Sequence, residues 1–212
     1  MVTYSQLFLF AAAALLMAVT PGPNMVYLIS RSLCQGKMAG VMSWFGVVLG
    51  FTVHMLSAAI GLTALFVAVP LGYEILKFAG ALYLLWLAWQ AIKPGARSPF
   101  AARELPPEPP GKLFTMGLLT SILNPKVAIF YLSVLPQFIE PAAGSVFAQS
   151  LILGTTQVFI GSSVNLLVTL AAAGMAAWFS NNPFWLDVQR YFMGLVLGAL
   201  AVRLFTQPRS GV

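Results

Sequence analysis

The feature that most constrains this chain is the length of its uncharged stretches. No Asp, Glu, Lys or Arg interrupts 1–30, 38–73, 78–92, 113–125, 127–139, 141–186 or 191–202. A helix needs about 20 apolar residues to cross a bilayer core of about 30 Å. On that ruler, spans are predicted near 5–30, 40–68, 72–93, 113–139, 147–178 and 185–206. Backbone polar groups in lipid have to be satisfied within the segment or in a closed barrel. A barrel would show roughly 10-residue segments of alternating polarity. These runs do not alternate, so the spans are predicted to be helices. Composition points the same way: 8% of the residues are charged and 59% hydrophobic, where a soluble domain carries about 25% charge. The reading is an all-α integral membrane protein, with the lipid bilayer as its surroundings; a water-soluble fold and a disordered chain are both excluded.

The net charge of +6 is not read as a nucleic-acid footprint. Such a footprint clusters Lys and Arg on one face or stripe, whereas these residues lie scattered between apolar blocks. One cysteine, Cys34, permits no internal disulfide and no thiolate cluster. One histidine and five carboxylates, none near it in sequence, predict no metal site. No phosphate-binding loop, haem ligand pattern or nucleophile–base set appears, so neither a cofactor nor an enzymatic reaction is expected. Residues 1–30 lack the basic segment that opens a cleaved signal peptide.

The polar stretch 94–112, rich in proline and charge, reads as a semi-extended linker between a first half, 1–93, and a second, 113–212. The halves resemble each other. Val19-Thr20-Pro21-Gly22-Pro23-Asn24 overlays Leu119-Thr120-Ser121-Ile122-Leu123-Asn124, followed by Pro125. Phe78-Ala79-Gly80 matches Phe192-Met193-Gly194. Three spans per half is an odd number, so the second copy must be inverted relative to the first. Inverted repeats with interrupted helices in corresponding positions are a build of secondary transporters. The expected architecture is therefore six transmembrane helices as two inverted three-helix repeats, with a broken first helix in each.

Lys and Arg in short loops favour the cytoplasm. Arg31, Lys37, Lys93, Arg97, Arg103 and Lys112 fall on one side, and Lys77, Arg203 and Arg209 on the other. Six against three places both termini outside, away from the cytoplasm.

Thr20-Pro21-Gly22-Pro23-Asn24 carries the sharpest functional signal. Two prolines remove two backbone donors and clash with the preceding turn, so the helix breaks, with Asn24 expected to cap a new helix starting near Met25. Asn124-Pro125-Lys126 repeats the device, with Asn124 as cap. Unpaired backbone groups in a membrane protein persist only where they are buried in protein or line a cavity, and a helix N-terminus suits a carboxylate. Lys126 is the one Lys or Arg set well inside a predicted span, a position that marks a functional candidate and a counter-charge for a substrate carboxylate. Pro21, Gly22, Pro23, Asn24, Tyr27, Asn124, Pro125 and Lys126 are the candidate substrate-binding residues. His54, in mid-span, is the candidate for proton coupling. Gln157, Ser162, Ser163, Asn165 and Tyr131 would line a polar path or join helices. Gly46-x3-Gly50 and Gly194-x3-Gly198 allow close packing, within the protomer or at a homodimer seam.

Taken together, Thr20-Pro21-Gly22-Pro23-Asn24, Asn124-Pro125-Lys126 and Gly80-Ala81-Leu82-Tyr83-Leu84 resemble the LysE family of amino-acid exporters over essentially the whole chain. The resemblance implies a bacterial inner-membrane protein that exports amino acids or close derivatives and is driven by the proton gradient. From the residues alone, a transporter of another small solute, such as a cation or quaternary amine, remains open. A cation path would want acidic residues at membrane depth, and none is found there.

Overall fold

The computed structural model of the chain describes residues 2–68 and 106–181. It adds isolated positions at 78, 81–82, 85–86, 88–89, 92–93, 184, 188, 191, 195, 198–199 and 201–202. Among the described residues every regular element is a helix. The third and sixth predicted spans, residues 94–105 of the linker and Gly194 lie outside the described residues, apart from those isolated positions.

Helix α1 (Tyr4–Val19) starts at Thr3, whose side chain and that of Gln6 cap each other's backbone N–H groups, a reciprocal device that satisfies two orphan donors. It stops at Thr20, and α2 (Pro23–Gln35) begins after a turn that bends the pair by 50°. Gly36, at φ 93°, is the whole connection to α3 (Lys37–Ala68). Glycine takes that left-handed conformation at little steric cost, which is how two helices reverse direction over one residue. After the linker the pattern recurs. Helix α4 (Pro110–Ile122) breaks at Leu123–Asn124, and α5 (Pro125–Ile129) restarts, continuing through a π-turn (Phe130–Val134) and a 3₁₀ turn (Leu135–Phe138). The bend between the two segments is 45°. A further 3₁₀ turn, Pro141–Ala143, leads into α6 (Val146–Asn181). A bent pair followed by one long helix thus occurs twice.

The apolar stretches Lys37–Leu62 and Val146–Met175, 26 and 30 residues long, reach about 39 and 45 Å at 1.5 Å per residue. That exceeds a bilayer core. With each bent pair counted as one span, four candidate spans stand among the described residues. Phe45, Leu49, Leu56 and Ile60 of α3 and Phe159 and Leu167 of α6 are exposed, an apolar surface of the kind that faces lipid tails. The chain is a multi-pass membrane protein.

The core joins the halves. Phe10 of α1 sits 5.6 Å from Phe130 and 5.3 Å from Phe138, ring centre to ring centre, with Leu28, Val47, Phe51, Leu135 and Leu153 in the same buried cluster. Helices α3 and α4 cross closely. A methyl group on Gly46 would overlap the Phe114 carbonyl, and one on Gly50 would overlap Ser121. The Gly46-x3-Gly50 pair therefore packs within the protomer, which settles the alternative left open for it. A methyl group added at Gly198 would meet nothing within 4 Å among the described residues.

Two expectations are corrected. Arg31, expected in a loop after the first span, is 2% exposed within α2. Its Nη1 donates to the Pro106 carbonyl at 2.9 Å, and its guanidinium lies 5.8 Å from the centre of the Tyr27 ring. Asn24 is not the cap of the second half-helix. Gly22 holds that position, without a side-chain bond, and Pro23 is the first helical residue. Proline is favoured there because its missing N–H is one of the orphans in any case, and its fixed φ starts the helix two residues earlier than Met25.

Candidate functional site

The two breaks lie against each other. Lys126, one residue past Pro125, is 8% exposed. It donates from Nζ to the carbonyls of Met17 and Thr20, at 3.1 and 2.5 Å. These carbonyls belong to the end of α1, where a helix runs out of its own donors and carries partial negative charge. The cation of the second break thus closes the first. Gly22 leaves room for it: a methyl there would come within 3.0 Å of Lys126 Cε and Nζ.

The second break is closed from the first half. His54 Nε2 lies 3.0 Å from the carbonyl of Ser121 near the end of α4. A carbonyl only accepts, so this nitrogen carries the hydrogen. The imidazole stacks on Tyr131, with 6.2 Å between ring centres and 10° between planes. Asn24 Nδ2 donates to Ser121 Oγ at 3.3 Å. Asn124 caps α5 as expected, its Oδ1 accepting from the Lys126 N–H at 3.1 Å.

Between the breaks lies a small hollow of about 10 Å³, lined by Met17, Ala18, Asn24, Met25, Phe51, Asn124, Lys126, Val127, Gln157, Gly161 and Asn165. That is room for about one water. Among the described residues, five buried side-chain polar atoms have no hydrogen-bond partner. Four are Asn24 Oδ1, Asn124 Nδ2, Gln157 Nε2 and Asn165 Oδ1, and all four belong to residues lining this hollow. Such atoms are rare in folded proteins because each forgoes a bond it had in water. Four around one space concentrate unmet donors and acceptors that a water molecule or a polar ligand would satisfy.

Of the sequence-predicted residues, the structure brings Asn24, Asn124 and Lys126 to the hollow. Pro21 and Gly22 are half-buried in the first break, while Pro23 and Pro125 are exposed; the prolines shape the bends from outside. Tyr27 is placed elsewhere: its hydroxyl joins Ser43 Oγ and the Leu113 carbonyl, both at 3.1 Å, bracing α2 against α3 and α4. His54 stands behind Ser121, one residue removed from Asn24. Gln157 and Asn165 of α6 line the hollow, and Tyr131 donates to Gln157 Oε1 at 2.5 Å. Ser162 bonds back to Phe159 on its own helix. Among the described residues, no group of three or more His, Cys, Asp or Glu side chains could hold a metal ion.

The family described as LysE type translocator matches residues 15–208. The chain is 31% identical over 203 residues to the homoserine/homoserine lactone efflux protein of Salmonella typhimurium strain LT2, covering 93% of this chain and 96% of that protein. It is 27% identical over 195 residues to the leucine efflux protein of Enterobacter sp. strain 638, covering 92% of each. No solved structure matches.

Proposed function

The chain belongs to the family of LysE type translocators, and on that premise we propose that it exports amino acids or close derivatives across the bacterial inner membrane. The substrate is held in the hollow between the half-helix ends near Asn24 and Asn124. The carrying observation is the gathering of four unpaired amide atoms at the meeting point of the two breaks. The names of the relatives, which export homoserine, its lactone and leucine, support the substrate class. Pro21, Gly22, Pro23 and Pro125 set the bends, Lys126 supplies positive charge beside the hollow, and Tyr27 braces the start of α2 against α3 and α4.

The full architecture in this reading is two inverted three-helix repeats, 1–93 and 113–212, joined by the linker 94–112. The recurrence of bent pair and long helix supports it. The hollow is far smaller than an amino acid, so transport requires one repeat to rock against the other, and that motion must part Lys126 from the α1 carbonyls. The proton gradient drives the cycle, with His54 as the relay, since its ring touches the carbonyl side of Ser121 while Asn24 holds the hydroxyl side. Both termini are periplasmic, an orientation that rests on Lys37, Lys93, Arg97, Arg103 and Lys112, at the ends of the predicted spans or between them, against Lys77, Arg203 and Arg209 on the other side.

The test is efflux. Cells loaded with dipeptides should release leucine or homoserine faster with the protein than without it. Asn24→Ala and Asn124→Ala should abolish the difference while remaining in the membrane. Export at the normal rate by both variants would refute the placement.

A further inference from the structure

Each of the four amides around the hollow is anchored at one end only. Asn124 Oδ1 is taken by the Lys126 backbone N–H, which leaves Nδ2 unpaired. Asn165 Nδ2 is taken by the Gly161 carbonyl, one turn back on α6, at 2.7 Å, which leaves Oδ1. A backbone N–H only donates and a carbonyl only accepts, so these two amides have a fixed sense. Gln157 Oε1 accepts from the Tyr131 hydroxyl, leaving Nε2, and Asn24 Nδ2 donates to Ser121, leaving Oδ1. Two NH₂ donors and two carbonyl acceptors therefore line one space. Lys126 directs its bonds to α1, no carboxylate is present, and Met17, Met25, Phe51 and Val127 complete an apolar wall.

We propose that the four amides read a zwitterion by polarity: Asn124 and Gln157 donate to the substrate carboxylate, and Asn24 and Asn165 accept from its ammonium. The protein is thereby restricted to α-amino acids with uncharged side chains. This assignment rests on the reading that the hollow is the substrate site. It moves the carboxylate to the Asn124 side alone, because Asn24 presents an acceptor. A lysine side chain would bring a second ammonium beside Lys126 with no carboxylate to meet it, and a glutamate carboxylate would find the Lys126 ammonium already bonded to the α1 carbonyls; a buried charge without a partner is strongly disfavoured. A site that bonds both ends of its substrate discriminates against analogues lacking either end far more strongly than an apolar slot does. Tyr131 is a positioning residue, holding the Gln157 amide with its donor toward the hollow.

The test uses the purified full chain in lipid vesicles, with labelled leucine or homoserine in counterflow. Flux of neither, nor of any other neutral amino acid, by the wild type would sink the exporter reading itself. With a flux established, competitors on the wild type probe the assignment. Against leucine, 3-methylbutylamine lacks the carboxylate and 4-methylpentanoate lacks the ammonium. Each, and likewise lysine and glutamate, should need at least roughly tenfold higher concentration than leucine for half-inhibition; equal potency would overturn the proposal. The same substitution at the two breaks should then give unequal losses. Asn24→Asp keeps an acceptor toward the ammonium and accepts from the Ser121 hydroxyl, so flux should fall less than in Asn124→Asp. Asn124→Asp keeps the helix cap but replaces the free donor with an acceptor, and flux should fall by roughly tenfold or more. Equal losses, or the reverse order, would overturn the proposal. Tyr131→Phe should raise the half-saturating leucine concentration and leave the maximal rate in place. If Asn124→Asp does not reach the membrane, the wild-type competition still decides.

Discussion

The two breaks achieve similar bends, 50° and 45°, by different chemistry. In the first, two prolines flank a glycine that caps α2 without a side chain, and the carbonyl end of α1 is closed by the ammonium of Lys126. In the second, one proline follows an asparagine that does cap, and the Ser121 carbonyl, bonded by the Asn124 N–H, takes a further bond from the imidazole of His54. Each closing group comes from the opposite half of the chain. The prolines decide where a helix stops, but the closing side chains decide whether the stopped helix can be buried, since unpaired carbonyls inside a protein are expensive. This exchange also means that the halves cannot move apart without releasing each other's helix ends.

The contrast predicts a graded set of losses. Lys126→Met should have the largest effect: it strands two carbonyls, at about 1–3 kcal/mol each, and should lower the thermal unfolding midpoint in detergent most and abolish efflux. His54→Leu removes one of the two donors to the Ser121 carbonyl, which still accepts from the Asn124 N–H at 3.1 Å, and should lower the midpoint by well under half as much. It should also remove accumulation driven by a pH gradient while exchange of labelled for unlabelled substrate continues. Equal midpoints for the two variants would erase the distinction between the breaks, and retained pH-driven accumulation would take the relay away from His54. Pro23→Ala and Pro125→Ala should have the smallest effects, within about 1 kcal/mol. Both prolines are exposed first-turn residues whose N–H would be an orphan in any case; a collapse of either variant would show that the closing side chains do not carry the stability of the breaks.

Both breaks were legible in the sequence because proline and glycine act locally: Pro21-Gly22-Pro23 and Asn124-Pro125 stop a helix whatever surrounds them. Lys126 was legible as a cation among apolar residues, though its partners on α1 were not. What failed depended on distant partners. Arg31 looked like a loop residue because it ends the first uncharged run; the Pro106 carbonyl, 75 residues on, bonds its guanidinium inside the protein. Asn24 carried a residue type suited to capping, but proline's preference for the first turn set the helix start ahead of it and released the side chain into the hollow. Gln157 and Asn165 stood out as polar residues on an apolar helix, but which way they face depends on how α6 is rotated in the packing. Tyr27, a plausible wall residue by proximity, instead braces α2 because Ser43 and Leu113 lie within its reach.

Substrate protection of a cysteine placed in the hollow tests the central claim most directly. In a Cys34→Ser background, Ala18→Cys sits among the lining residues, and Phe159→Cys lies on the exposed face of α6. A saturating concentration of the exported amino acid should slow alkylation of the cysteine at position 18 and leave the one at 159 unaffected. Unchanged alkylation at 18, in protein that still transports, would place the substrate somewhere other than between the two breaks.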